Sequence, residues 1–389
     1  MRWEGPVDEE QERDLRIAVT YPGDPTDPRV WSGTPAGLIR GLRTAGVDVI
    51  PVDVTPPQHL ASVWTRVVSG RVRPSAHHLL TVTRRSASYA ALISATAARR
   101  VPRDVDAVLQ IGTGYRVPGR VTATFEDMTV AQALRHAWGE LAELPPSVAD
   151  GRRRLQASVY RAADVCFLAT SWAASSVVED YTVPPEKIGL TGLGVNRRGE
   201  PACDKDWTHP RFLFVGNDWH RKNGDAVLQS FGELHEQRPD ARLDLVGGGV
   251  PSTVHDLPGL VHHGALPMGD PQAQRRLAGL FAQATCLVVP SRLEPAGIVY
   301  AEAGSMGIPS IGTTVGGAAD MIGDGGLVVD PTDLDALTQA MVRLADHAMA
   351  QEAGARARRH AEGLTWEAVG LRVAERLWRA VTDTREAPE

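Results

Sequence analysis

Cysteine is almost missing from this 389-residue chain. Cys166, Cys203 and Cys286 lie far apart with no C-x-x-C pair, which excludes a disulfide framework and a cysteine-rich zinc site. The compartment expected from this is a reducing one. Lysine is as scarce: Lys187, Lys205 and Lys222 stand against a large excess of arginine, the bias of a GC-rich bacterial genome. No apolar run approaches the roughly 20 residues of a membrane-spanning helix. The opening residues, Met1 to Asp14, are polar and acidic, unlike a secretory leader, so a cytoplasmic protein is expected. An excess of positive charge is lacking too. A net charge of −6 argues against a nucleic-acid partner held by bulk charge.

What is present is ordinary globular composition, 43% hydrophobic and 23% charged, in a chain longer than one hydrophobic core usually supports, so two domains are expected. Strand-like apolar runs bounded by Gly, Pro or Asp fall at residues 15–21, 47–54, 107–111, 121–125, 165–170 and 188–191, then at 212–215, 243–246, 260–263, 286–289, 309–312 and 327–329. Helical stretches alternate with them. Such alternation predicts α/β architecture with parallel sheets covered by helices, in which ligands bind at the carboxyl ends of the strands. Residues 194–210 have no apolar period and are rich in Arg, Gly, Pro and Asp, which reads as a linker between domains. A long amphipathic helix is expected over 366–381.

The most informative stretch runs from Glu294 to Glu302, two carboxylates separated by seven uncharged residues, Pro-Ala-Gly-Ile-Val-Tyr-Ala. An apolar strand precedes it and another follows. A helix beginning near Gly297 leaves the N–H groups of Gly297, Ile298 and Val299 aimed out of its start, where an anion such as a diphosphate is favoured. Glu302 lies one turn after Ile298 on the same face and Glu294 lies on the loop, so the carboxylates flank the two ends of a ligand held there. A pair of merely solvated glutamates fits poorly in so apolar a segment.

A second site signal follows the strand at 212–215, in Gly216-Asn-Asp-Trp-His-Arg-Lys222-Asn-Gly224. A glycine-rich strand-to-helix loop is a phosphate site by geometry, and Lys222, six residues after Gly216, can reach the bound anion. Its being one of three lysines in an arginine-rich chain strengthens the assignment. Trp31-Ser-Gly-Thr-Pro35 reads as a helix start with Thr34 as N-cap and Pro35 in the first turn, which leaves Gly33 unexplained. Residues 121–127 close a strand on Glu126-Asp127, where a carboxylate binds acceptor hydroxyls, acts as a base, or caps the next helix from Asp127.

The Glu294–Glu302 segment resembles the E-x7-E signature of the retaining family-4 glycosyltransferases, which have the GT-B fold. Trp31 to Pro35, Ser171-Trp172 with Tyr181, Phe214-Val-Gly216 through Gly224, and Gly316-Gly317 with Asp320 match other stretches of the family in family order. The resemblance covers nearly the whole chain. It implies two doubly wound Rossmann-like domains facing a cleft: an acceptor domain over 1–200, a nucleotide-sugar domain over 201–365, and a terminal helix, 366–389, crossing back to the first. It further implies that Glu294 lies against the donor sugar and Glu302 binds the ribose. Ala296, Gly297, Ile298 and Val299 would hold the diphosphate, Gly33 would let the first-domain backbone approach it, and the loop through Leu266 would contact the base. Two departures stand out. Relatives usually place Arg after the glycine where this chain has Asn217, which makes Arg221 and Arg292 the candidates for a second positive charge, or leaves Lys222 and the helix-start amides to hold the phosphate alone. Many relatives also place His-Asp where this chain has Glu126-Asp127.

The expected activity is a metal-independent, retaining transfer of a hexose from a nucleotide diphosphate sugar, the co-substrate, to a hydroxyl or amine acceptor, a small molecule or glycan. No resident cofactor is expected. A GT-B protein that binds nucleotide without turnover is the alternative, as is a GT-B epimerase or phosphorylase, although a phosphorylase needs a pyridoxal-phosphate lysine in a chain with three. Asp204-Lys-Asp206 spells the D-x-D metal motif but sits in the linker with no strand to present it. His262-His263 has no neighbouring ligand in sequence and reads as packing rather than metal ligation. Gly247-Gly-Gly249 reads as a strand-end loop, not a dinucleotide motif. The arginine-rich stretch 66–103, with His77 and His78, is of a kind that touches an anionic acceptor or a membrane surface, but such runs are usually solvated faces. The acceptor loops are expected within 56–103.

Overall fold

The computed structural model describes residues 15–57, 86–197, 205–251 and 257–386. It forms two units, Met1–Thr191 with Val369–Glu389, and Gly192–Ala368. His77, His78, Cys203, Asp204 and most of the expected acceptor stretch lie outside the described residues.

The first unit holds a parallel sheet of β1 (Arg16–Tyr21), β2 (Asp48–Asp53), β3 (Ala107–Ile111), β4 (Val121–Glu126), β5 (Val165–Leu168) and β6 (Ile188–Leu190), in spatial order 2-1-3-4-5-6. Helices α1 (Thr34–Thr44), α2 (Ala87–Arg100), α3 (Val130–Arg135), α4 (Pro146–Ala162) and α5 (Ser171–Glu179) alternate with the strands. The central strands read as continuous apolar runs because helices cover both sheet faces; β3 and β5 are buried at every position.

The second unit repeats the plan. Its strands are β7 (Arg211–Val215), β8 (Arg242–Val246), β9 (Leu260–His262), β10 (Cys286–Val288), β11 (Ser310–Thr313) and β12 (Gly326–Val329), again all parallel, in order 12-11-10-7-8-9. Its helices are α6 (Gly224–Gln237), α7 (Pro271–Gln283), α8 (Ile298–Ser305), α9 (Ala318–Ile322), α10 (Leu334–Ala345) and α11 (His347–Glu362). Phe212, Phe214, Phe231, Leu243, Leu245 and Met341 centre its core. All twelve expected strands are present, with ends that differ by at most two residues. Together they make two doubly wound α/β domains of the GT-B type.

Residues 192–197, expected in the first domain, pack with the second. The Val195 N–H donates to the Leu364 carbonyl (2.9 Å), and a side chain on Gly194 would strike the Trp366 ring. The last helix, α12 (Trp366–Glu386), buries Val369, Val373, Leu377 and Val381 at helical spacing. From Val369 onward it belongs to the first unit, where Arg385 pairs with Asp106 (2.7 Å).

Candidate functional site

In a doubly wound sheet the strand order reverses at one place, and the loops leaving the two strands there diverge to open a crevice. In the second unit that place lies between β7 and β10. Lys222 follows β7 and Glu294 follows β10, so the topology brings the two sequence signals together. The Arg292 N–H donates to the Arg221 carbonyl (2.8 Å) and stitches the two loops.

Glu294 is 7% exposed. A single oxygen, Oε2, accepts from the Lys222 ammonium, from Arg221 Nη1 (3.3 Å) and from the Ser291 hydroxyl (2.9 Å). Its main chain is held as well: the Glu294 N–H donates to the Val315 carbonyl (3.1 Å), and the Gly317 N–H donates to the Glu294 carbonyl (2.9 Å). Burial alone raises the carboxyl pKa, but the charges of Lys222 and then Arg221 outweigh it and hold Glu294 below its ordinary value. Lys222 is buried too. Gly216 is what admits it, since a Cβ there would sit 2.7 Å from Lys222 Cγ. Of the two candidates for a second cation, Arg221 joins the carboxylate. Arg292 is exposed and its Nε donates to the His220 carbonyl (3.2 Å).

Gly297 has φ +87°, a left-handed turn that starts α8. The Tyr300 N–H donates to the Gly297 carbonyl (3.1 Å), and the Tyr300 hydroxyl donates to the Val289 carbonyl (2.6 Å), which pins the helix start to the end of β10. Ala296 is buried; Gly297, Ile298 and Val299 are half-buried. The N–H groups of Ile298 and Val299 precede the first full helical turn.

Glu302 is buried on α8, and sequence reasoning missed its partner. Arg197, from the stretch read as linker, sets Nη1 3.5 Å from the carboxylate and adds its own backbone N–H. Burial nonetheless keeps the Glu302 pKa above its ordinary value. The other end of Arg197 donates to the side-chain oxygen of Gln274, whose amide nitrogen donates to the carbonyls of Leu266 (3.3 Å) and Pro267 (2.9 Å).

In the first unit, Glu126 closes β4 as a buried side chain. Oε1 accepts from the Thr113 N–H (2.9 Å) and hydroxyl (2.5 Å), and Oε2 accepts from Gln156 (3.0 Å) and the Tyr160 hydroxyl. Burial pushes its pKa up to about 7 despite these donors. The helix that follows is capped not by Asp127 but by Thr129, in a capping box with Gln132. Thr34 is likewise not a cap: Gly33 is, at φ +79°, after Trp31 (φ +43°) and Ser32 (φ +52°). Three successive left-handed residues turn the chain into α1, and only glycine enters that region without cost, so the local backbone does explain Gly33.

A further correction concerns His263. Its Nε2 lies 2.6 Å from Asp244 Oδ1, and Asp244 also pairs with Arg211 (2.6 Å). A carboxylate is therefore beside it, supplied by the adjacent strand. Asp206 is engaged in its own turn, by Thr208 and by His209 (2.7 Å). Among the described residues no three His, Cys, Asp or Glu side chains gather as a metal site, and no helix is long and apolar enough to cross a membrane.

Residues 209–347 match the family model for glycosyl transferases group 1. Among curated proteins the chain is similar to a D-inositol 3-phosphate glycosyltransferase of Streptomyces scabiei, 30% identical over 59% of this chain and 57% of that protein. It is also similar to a GDP-mannose-dependent alpha-(1-6)-phosphatidylinositol monomannoside mannosyltransferase of Mycolicibacterium smegmatis, 35% identical over 40% and 44%. The chain spans about half the length of the curated relatives it matches. Among solved structures, sucrose-phosphate synthase from Thermosynechococcus elongatus shares the fold, with TM-score 0.66 and 19% identity, over 95% of this chain and 99% of that one. The matched domain, the curated relatives and the paired parallel sheets agree: residues 209–347 form a group 1 glycosyl transferase domain, in a chain of the GT-B fold that is similar to family-4 glycosyltransferases.

Proposed function

We propose that this protein is a retaining, metal-independent glycosyltransferase that moves a hexose from a nucleotide diphosphate sugar to a hydroxyl or amine acceptor. One observation carries the reading: Lys222 and Arg221 converge with Ser291 on one oxygen of Glu294, beside the start of α8, at the reversal point of the second sheet. Two fixed cations and helix-start amides are what a departing diphosphate requires, and they act most strongly in a buried site. In this reading Lys222, Arg221 and the amides of Gly297, Ile298 and Val299 take up the charge that develops on the leaving phosphate. Glu294 orients the donor sugar, Glu302 binds the ribose, and the loop through Leu266 borders the base. Neutralisation by the protein's own cations removes the need for a divalent ion.

Glu126 is assigned no step on the reacting atoms. Four neutral donors already occupy its two oxygens, so it organises the first unit. The acceptor proton passes instead to an oxygen of the departing diphosphate. The relatives named for inositol 3-phosphate and a phosphatidylinositol mannoside make a phosphorylated inositol the first acceptor to test.

The test is incubation with uridine, guanosine, adenosine and thymidine diphosphate sugars, with and without inositol 3-phosphate, following nucleoside diphosphate release and the anomeric configuration of the product. Acceptor-dependent release with an axial product from an axial donor is expected. Nucleotide binding without release under any pairing would favour a non-catalytic GT-B protein, and an inverted product would overturn the retaining assignment.

A further inference from the structure

We propose that Arg197 is a positioning residue for the nucleotide ribose, which fixes the Glu302 carboxylate, and that Gln274 ties this pair to the base-side loop; the inference rests on the assignment of Glu302 to the ribose.

Glu302 lies in the middle of α8, about 200° around the helix from Gly304. Gly304 carries the contact with α11, since a Cβ there would lie 3.0 Å from the Ala357 carbonyl. The carboxylate therefore points away from that packed face, yet it is buried, and an uncompensated buried charge is costly. Arg197 supplies the compensation twice, through its guanidinium at 3.5 Å and through its backbone N–H. These two contacts do not exhaust an ionised carboxylate, which offers about four lone-pair sites. Two hydroxyls of a vicinal diol can use the rest.

Arg197 is itself fixed. Nη2 donates to the Gln274 side-chain oxygen, and the guanidinium carbon lies 5.9 Å from the centre of the Phe281 ring. Both partners stand on α7, seven residues apart and so on one helix face. Gln274 spends its amide nitrogen on the carbonyls of Leu266 and Pro267. One amide side chain thus joins the wall that meets the ribose to the wall that meets the base. Isolated surface arginines wander among rotamers; this one is held at three points, more than an ion pair with Glu302 alone would need.

The test compares a nucleoside diphosphate with its 2′,3′-dideoxy counterpart by calorimetry, using whichever of UDP, GDP and ADP the full-length protein binds most tightly. The wild type should prefer the ribonucleotide by about tenfold, the worth of hydrogen bonds to a charged group. Arg197→Met should erase that preference by weakening the ribonucleotide alone, and Arg197→Lys should restore part of it. Gln274→Met should weaken both nucleotides, because it releases the base-side loop as well. Equal weakening of both nucleotides by Arg197→Met and Arg197→Lys would overturn the proposal in favour of a phosphate contact or a general structural role, and unchanged ribonucleotide affinity would overturn it outright. Glu302→Gln separates the two levels: if the ribose preference survives that change, the assignment of Glu302 fails; if it is lost there but survives in both Arg197 variants, only the role of Arg197 fails.

Discussion

Glu294 and Glu126 are buried to the same degree, 7% exposed each, and each stands at or just past the carboxyl end of an interior strand of a parallel sheet. Their surroundings are opposite in kind. Glu294 meets two cations and a hydroxyl on one oxygen and is held ionised. Glu126 meets only neutral donors, spread over both oxygens, and burial lifts its pKa to about 7. The lesson is that burial alone does not distinguish the two carboxylates. What separates the two is whether the compensating groups are charges that a ligand can recruit, or donors that are fully used within the fold.

The sharpest way to break the comparison is Lys222→Ala. It removes the charge nearest Glu294 and should cost about 3 kcal/mol or more in transition-state stabilisation, on the scale of losing one electrostatic contact at a reacting centre. Steady-state kcat/KM measures it, and a loss below threefold would show that Lys222 does not face the leaving group.

Glu294→Gln should act differently in binding and in turnover. Turnover is expected to fall by on the order of a hundredfold, while nucleoside diphosphate affinity holds or rises, because Lys222 and Arg221 lose a competing negative charge. Parallel kinetics and calorimetry on the same variant check this, and loss of both quantities together would contradict it. Glu302→Gln should raise KM for the donor by about tenfold with kcat little changed, since a ribose contact is equal in ground and transition states.

Glu126 sharpens the contrast from the other side. Its folded pKa of about 7 lies above its ordinary 4.5, so between those values the folded state binds more protons than the unfolded one. Stability should then fall as pH rises through that window, by on the order of 3 kcal/mol. Calorimetric midpoints from pH 4.5 to 8 should show a component that Glu126→Gln abolishes. A pH profile identical in the two proteins would mean that Glu126 stays ionised throughout. The smallest effect expected is from excess EDTA: activity unchanged, where loss restored by manganese would reinstate a metal step.

Much of this arrangement was legible before the structure. The strands announced themselves as apolar runs between turn residues, and Lys222, Gly297 and the two glutamates lie in short local patterns whose geometry follows from one strand-to-helix turn each. What was not legible depends on partners distant in sequence. Arg197 looked like linker, because nothing local says that Gln274 and Phe281 will form a seat for it on α7. His263 looked partnerless, because Asp244 arrives only through strand pairing. Glu126 looked like a cleft residue: a carboxylate at a strand end reads the same whether water or the side chains of α4 surround it. Gly33 looked unexplained because φ angles of +43° and +52° at Trp31 and Ser32 are not a choice those residue types advertise.

The central claim is that the Lys222, Arg221 and Glu294 cluster receives a diphosphate. Calorimetric titration of UDP, GDP, ADP and dTDP in excess EDTA tests it most directly, run side by side on wild type, Lys222→Ala, Arg221→Ala and Arg292→Ala. Metal-free binding of at least one nucleotide is predicted, lost in Lys222→Ala, weakened in Arg221→Ala and unchanged in Arg292→Ala. Binding unaffected by all three substitutions would contradict the account at its centre.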